Sequence, residues 1–352
     1  MPRKTSQSII IVGAGPVGLC CALALAEDGH HVRVIDSGAR GAGWASGGML
    51  GAVYETLDRA NVSPLLTKMA FESLSLWQNL AARLAIETLS ESIFLGRTPE
   101  EAQFLSALAS NPQAAMTPFD VPTGLVGMAA WRCARDLALN PRTTLQKLHK
   151  ACVGAGVTFV TGTVTSCRPH QVTLHDSSVH EGDIIILATG QNGDELSESV
   201  SELANIMPVK GQLLAVAVTP SPSFQVVRAG RLYLLARGQQ IVIGATSDPD
   251  NHDASTLDID AHAALYNEAI VLCPALKNAP ILESWAGLRP MTPDGLPMVG
   301  HSSVKGVLLA CGTYRNGWLL APSIAQSIVS LIKGEGGSVS KLQPFSPTRF
   351  PI

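Results

Sequence analysis

The amino-acid sequence predicts an α/β chain that combines a parallel, nucleotide-binding layer with a second, mainly antiparallel α+β domain. Three observations carry this: a glycine fingerprint between two β-branched runs near the start, a further apolar run at 183–190 ending in a small turn, and an alternating region after residue 206 that contains a hairpin. At 352 residues the chain exceeds a single hydrophobic core, so two interleaved domains are expected.

Residues 8–12, Ser-Ile-Ile-Ile-Val, suit a strand buried on both faces. Gly13-Ala14-Gly15-Pro16-Val17-Gly18 follows at once. Gly13 permits a tight turn, Gly15 lets backbone approach a pyrophosphate, and Gly18 lets the next helix pack close to the strand. Pro16 fits the first helical turn, and Val17 lies in that turn. Leu19, Leu23 and Ala26 keep helical spacing until Gly29, and His31 to Ile35 alternate into a second strand ending at Asp36 and Ser37. A carboxylate there accepts ribose hydroxyls and repels a ribose phosphate, which favours FAD or NAD over NADP in a Rossmann-like unit. Arg3 and Lys4 ahead of the charge-free stretch 8–26 imitate a secretory signal, but three glycines and a proline within six positions fit strand, turn and helix better. A cytoplasmic location is expected.

The segment Arg40 to Ala52 is rich in Gly, Ala and Ser. Such a run, here Ala45, Ser46, Gly47, Gly48, Met49 and Leu50, lets backbone lie flat against a large planar ligand, and it also suits a surface loop. Val157 to Val164 and Asp183 to Gly190 read as further strands of the parallel sheet. Flavoproteins of this architecture place such a strand near adenine and an Ala-Thr-Gly turn near the pyrophosphate, which puts Val164, Ala188 and Gly190 beside FAD or simply within the sheet. The stretch 71–89 shows helical periodicity, and 90–128 carries no legible motif. Pro208 to Gln212 opens the alternating region, with Lys210 read as a solvated strand lysine. Gly238-Gln239-Gln240 turns a hairpin between 231–236 and 241–245.

Composition narrows the function. Hydrophobic residues are 46% and charged residues 15%, which suits a compact enzyme with little disordered sequence. A net charge of -3 provides no basic field for nucleic acid or anionic lipid. Beyond the first segment no apolar stretch is long enough for a membrane span. The seven cysteines have no metal-ligand spacing and read as reduced and buried, so no metal is expected.

Towards the end stand Trp-Ala-Gly-Leu-Arg-Pro at 285–290, Asp-Gly-Leu-Pro at 294–297 and Arg-Asn-Gly-Trp-Leu-Leu-Ala-Pro at 315–322. With the opening fingerprint, Gly-Gly-Met-Leu-Gly-Ala at 47–52, Pro-Val-Lys-Gly at 208–211 and the hairpin ending Gly-Ala-Thr, they follow the order found in the glycine oxidases. Over nearly its full length, 90–128 excepted, the chain resembles that branch of the FAD-dependent D-amino acid oxidase superfamily. The resemblance implies the D-amino acid oxidase type of fold. An FAD-binding domain is expected from 1–80, 129–205 and 285–352, and a substrate domain from 81–128 and 206–284. It also implies noncovalent FAD, a small amino acid or secondary amine as substrate, dioxygen as electron acceptor, and a homo-oligomer. Arg289 would fix the substrate carboxylate, Tyr233 would donate to it, and Arg315 would hold a second arginine position that serves the site or the flavin. A guanidinium suits the first role because two parallel N–H groups match a carboxylate. Gly287, Tyr314, Asn316, Gly317, Trp318 and Leu319 would line the flavin. The helix after Gly317 would aim its N-terminus at the negative charge of the reduced ring. Trp318, Met49 and Met291 would narrow the pocket or merely pack. The Cα–H would then leave as hydride towards the flavin. A dehydrogenase passing electrons to a quinone or carrier is the alternative.

Overall fold

A computed structural model describes residues 6–57, 62–193, 195–335, 337, 340 and 342–350; Arg3 and Lys4 lie outside these. Six strands form the nucleotide layer in the order Met298–His301, Val307–Cys311, Ile184–Leu187, Ser8–Val12, His31–Asp36 and Thr158–Thr161. All neighbours run parallel except the first pair. The isoleucine run explains the central position of Ser8–Val12. Ile9 and Ile11 pack with the helices Pro16–Glu27 and Gly317–Ile332, whereas Ile10 and Val12 pack with Val172 and Leu174 on the opposite side. That opposite side carries a three-stranded antiparallel sheet, Val164–Arg168, Gln171–Leu174 and Val179–Glu181. The strand read as 157–164 is therefore two elements. It leaves the parallel ladder after Thr161, and Val164 opens the smaller sheet.

Nine strands form the second sheet. Along its path lie Ile281–Met291, Met207–Ala217, Gln240–Gly244, Leu232–Arg237, Val226–Ala229, Thr88–Gly96, Ala129–Leu139 and Met49–Leu50, with Met116–Phe119 also paired to Ala129–Leu139. Only Val226–Ala229 and Thr88–Gly96 pair in parallel. Sheet membership thus cuts across the boundaries expected at 129 and 285, because Ala129–Leu139 and all of Ile281–Met291 pair within this sheet. Leu214, Val216, Leu232 and Leu234 face the helix Ile259–Leu272, and Leu213, Leu235 and Val242 occupy the other side with Tyr233, Met49 and Trp285. The hairpin turns where expected: Arg237 pairs with Gln240 across Gly238, whose φ of 61° requires glycine's freedom.

Two readings need correction. The helix expected over 71–89 runs from Pro64 to Leu84 and ends at Ala85 in a left-handed conformation. Leu89 already belongs to a strand and pairs with Ala138, its apolar character continuing the helical pattern only by coincidence. Lys210 is not solvated but 1% exposed, with no hydrogen-bond partner for Nζ among the described residues. Strand alternation puts it on the helix-covered face with Leu214, away from Arg289. The uninformative stretch 90–128 folds as the end of a strand, a helix Pro99–Ala109 capped by the Thr98 hydroxyl, and a short edge strand.

Candidate active site

The fingerprint, Asp36 and the turn at 188–190 converge at the carboxyl ends of three adjacent parallel strands. Gly13 N–H donates to Ile35 O at 2.8 Å and Ala14 N–H to Asp36 Oδ2 at 2.7 Å, while Gly38 N–H donates to Asp36 Oδ1 at 2.7 Å. Asp36 therefore braces the turn and keeps further lone pairs free. The three glycines divide the work. A Cβ on Gly13, whose φ is 110°, would lie 2.5 Å from Ala188 O, and one on Gly18 would collide with Gly13 O. One on Gly15 would meet no protein atom within 4 Å. Gly15 thus borders open space, the cradle that a pyrophosphate needs beside the helix N-terminus. Val164 is buried between the layers with Val12 and Ile35, at the ends of the strands that lead into the fingerprint and Asp36.

The segment 41–52 is not a free surface loop. It lies across the gap between the two large sheets, held from both sides: Trp318 Nε1 donates to Gly43 O at 2.8 Å and Trp285 Nε1 to Ala45 O at 2.6 Å. Arg237 donates from one nitrogen to Gly47 O at 2.8 Å and Leu139 O at 2.9 Å. Gly287 faces Ala45, and Gly47 lies against the Tyr233 hydroxyl, each with no room for a Cβ. Ser46 Oγ accepts from Gly48 N–H, whose residue supports the left-handed turn into Met49–Leu50. Opposite stands Gly312 to Gly317. Tyr314 N–H donates to Pro290 O at 2.7 Å, and Asn316 caps the helix Gly317–Ile332 without a side-chain bond, its Oδ1 buried and without a hydrogen-bond partner among the described residues. Trp318 and Leu319 are buried in the helical core; the Trp318 ring meets Trp77 in a tilted contact at 5.8 Å, and its hydrogen bond to Gly43 O braces the segment. An open phosphate cradle, a helix terminus without a side-chain cap and an orphaned amide oxygen fit a dinucleotide bearing a planar ring, as FAD does.

Arg289 extends over Gly211 and donates to Lys210 O at 3.2 Å and Thr246 O at 3.0 Å. It forms no ion pair among the described residues, and burial pulls its pKa below the ordinary guanidinium value. Tyr233 stands on the same side. Burial raises its hydroxyl pKa against the opposing charges of Arg289, Arg228 and Arg315, so it stays a protonated donor. Arg315 pairs with Glu55 at 3.2 Å, and its pKa rises because Glu55 and Tyr54 outweigh burial. Met49 packs with Tyr233, whereas Met291 lies in the edge strand opposite Met207.

With this geometry in hand, the chain matches the FAD dependent oxidoreductase family over residues 8–331. The chain belongs to that family. It is 28% identical over 360 residues to a glycine oxidase of Pseudomonas putida, covering 94% of this chain and 95% of the relative. The crystal structure of glycine oxidase from Geobacillus kaustophilus superposes with a TM-score of 0.88 at 26% identity, over 99% of this chain and 100% of that one. An L-proline dehydrogenase of P. horikoshii shares the fold, with a TM-score of 0.80 at 19% identity over 99% and 98%. This oxidoreductase uses FAD, and the fingerprint, segment 41–52 and Gly312–Gly317 are the elements that fit it. No helix among the described residues is long and apolar enough to cross a membrane, and no group of three or more His, Cys, Asp or Glu side chains there could hold a metal ion.

Residues with no motif of their own also stand around Tyr233 and Arg315. Arg237 was legible in principle, since Tyr233 and Arg237 share a face at the period of a strand. Glu55, Tyr54, Arg228 and Asp136 had no local signal, because distant strands bring them together. Asp136 is fully enclosed; its Oδ2 accepts from Ser92 Oγ at 2.7 Å. Burial raises its pKa against the pull of Arg228 and Ser92. An acid raised in the folded state stabilises the fold fully below its unfolded value, about 4, and loses that contribution as pH rises through the folded value. Asp136→Asn, neutral throughout and still able to accept from Ser92, should therefore gain stability relative to the parent as pH rises above about 4, by on the order of 1 kcal/mol. Urea midpoints of both proteins across that range measure the gain; a constant difference between them would refute it.

Proposed function

We propose that the protein oxidises a small amino acid or secondary amine, of the class of glycine, sarcosine or a small D-amino acid, to the imine, with dioxygen as final acceptor and hydrogen peroxide as product. One observation carries the reading: Arg289 is oriented by two backbone carbonyls, lacks an acidic partner and stands beside a protonated Tyr233, facing the FAD-binding segment. A carboxylate supplies the charge this guanidinium lacks, and the phenol donates a further bond. Bound FAD supplies the two-electron acceptor.

The residues of the chain then do the orienting. Arg289 and Tyr233 fix the carboxylate, so the adjacent carbon is held at one distance from the 41–52 segment, an advantage worth several orders of magnitude in rate when the geometry is right. Glu55 neutralises Arg315, which leaves Arg289 as the stronger anion site. Among the described residues no histidine stands beside Arg289 or Tyr233 to act as a base, so the amine must arrive neutral.

The test is an absorption spectrum of the purified protein combined with peroxide measurement under air, using glycine, sarcosine, D-alanine and D-proline. A flavin spectrum with peroxide from the smaller substrates is the expected result. Flavin bleached by substrate without peroxide would point instead to a dehydrogenase with a quinone or protein carrier, a distinction that the shared fold of the L-proline dehydrogenase leaves open. No bleaching with any amine would overturn the reading.

A further inference from the structure

The charges around Tyr233 do not balance for a substrate with one carboxylate. Arg289, Arg228, Arg315 and Arg237 all act on its hydroxyl. Arg315 is matched by Glu55 at 3.2 Å, Arg237 is tied to Gly47 O and Leu139 O, and Arg289 is the carboxylate anchor, which leaves Arg228. Arg228 lies directly opposite Tyr233 in the antiparallel pair of Val226–Ala229 with Leu232–Arg237, so both side chains stand on one face. It is 4% exposed, its Nε has no hydrogen-bond partner, and it forms no ion pair among the described residues. Its guanidinium sits instead 4.4 Å from the centre of the Tyr54 ring, while Arg315 approaches the same ring at 5.4 Å.

Asp136 attracts Arg228 but forms no ion pair with it among the described residues. Asp136 turns Oδ2 to the Ser92 hydroxyl, leaves Oδ1 without a partner, and is shifted by burial towards the neutral form. Both groups converge beneath Gly51, where a Cβ would lie 2.5 Å from Arg228 Nη2 and 3.4 Å from Asp136 Oδ2. Only a glycine leaves room there for the Arg228 guanidinium, one residue from the helix Ala52–Thr56 that carries Tyr54 and Glu55. A buried guanidinium whose main contact is an aromatic face is poised to exchange that contact for a carboxylate, which offers paired, charge-assisted hydrogen bonds in place of a ring quadrupole.

Resting on the amino acid oxidation reading, we propose that Arg228 recognises a second anionic group of the substrate, so that the preferred class is an amino or imino diacid. One carboxylate takes Arg289 and Tyr233, and the other takes Arg228. The chemistry is unchanged: the C–N bond loses two electrons and two protons to become an imine, FAD accepts the electrons, and dioxygen reoxidises it.

Binding and turnover test this separately on the FAD-loaded protein. Flavin absorbance titrated with the unreactive anions acetate, malonate and succinate should show a diacid binding at least about tenfold more tightly than acetate. Anaerobic flavin reduction should favour iminodiacetate or D-aspartate over glycine in kcat/KM by a similar factor. Arg228→Met should lower the diacid-to-glycine ratio by about tenfold or more, with Arg228→Lys intermediate, since an ammonium keeps the charge without the fork. Equal binding of acetate and both diacids, or a diacid-to-glycine ratio unchanged in the folded variants, would overturn the proposal. Should Arg228→Met not fold, the anion series on the parent and Arg228→Lys still decides. Flavin unreduced by every amine would overturn the oxidation reading instead, with the malonate-to-acetate ratio still reporting on Arg228.

Discussion

Replacement of Arg289 by methionine is expected to lower kcat/KM for the amino acid substrate by between about thirtyfold and several thousandfold, which corresponds to roughly 2 to 5 kcal/mol of lost anchoring. Methionine fills a similar volume without charge, so the strands around it keep their packing. What disappears is a guanidinium held by Lys210 O and Thr246 O at 3.2 and 3.0 Å, with its remaining N–H groups available to a carboxylate. Burial makes the loss large, because a substrate carboxylate entering the site gives up water and receives only the Tyr233 hydroxyl in return. The loss should appear mainly as weaker apparent binding, with the flavin spectrum intact. Arg289→Lys should recover part of it, as a charge without the planar fork. Steady-state kinetics on both variants measure this; a methionine variant with parental kcat/KM would remove Arg289 from the site.

The second large effect concerns the cofactor. Gly18→Ala places a methyl group on Gly13 O and 3.4 Å from the Ala188 side chain, so the helix Pro16–Glu27 must lift from the sheet on which Leu19 and Leu23 pack. A cost of about 3 kcal/mol in stability is expected, at the upper end for an overpacked interior, together with loss of bound FAD. Gly15→Ala makes the instructive contrast. Gly15 holds φ -74° and ψ -177°, open to any residue, and its Cβ would meet nothing in the protein. Its stability should change by less than about 0.5 kcal/mol, while FAD affinity falls by about tenfold or more because the new methyl occupies the approach of the pyrophosphate. Thermal melting with and without added FAD separates the two. Equal melting temperatures for parent and Gly18→Ala would contradict the packing argument, and unchanged affinity in Gly15→Ala would contradict the cradle.

These contrasts indicate why some of the structure was legible in the sequence. Gly13, Gly15 and Gly18 each answer a local steric demand within one strand, turn and helix, so spacing alone reveals them. Tyr233 could be found because its hairpin closes over two residues, and Arg289 because a specific motif surrounds it. Arg228 and Asp136 escaped because their significance comes from register: Arg228 matters by standing opposite Tyr233, and Asp136 by meeting Ser92, which is 44 residues away in sequence. Lys210 was misread for a related reason. Period-two alternation identifies which residues share a face, but whether the other face meets water or the helix Ile259–Leu272 is decided by a segment nearly fifty residues downstream. The extent of the helix at 64–84 was blurred because Ile86 and Leu89 keep an apolar rhythm after Ala85 has already turned the chain.

The strand order of the nucleotide layer also bears on how the chain matures as it is made. Ser8–Val12 is made well before its neighbour Ile184–Leu187, which is flanked in turn by Val307–Cys311, and Gly317–Ile332 packs on Pro16–Glu27 only afterwards. Nascent chains shorter than about that length hold the whole fingerprint but neither the last strand nor the helix that shields it. Dinucleotide capture is therefore expected only once Gly317–Ile332 has been made, and until then the isoleucine-rich strand lacks part of the apolar cover it has in the fold.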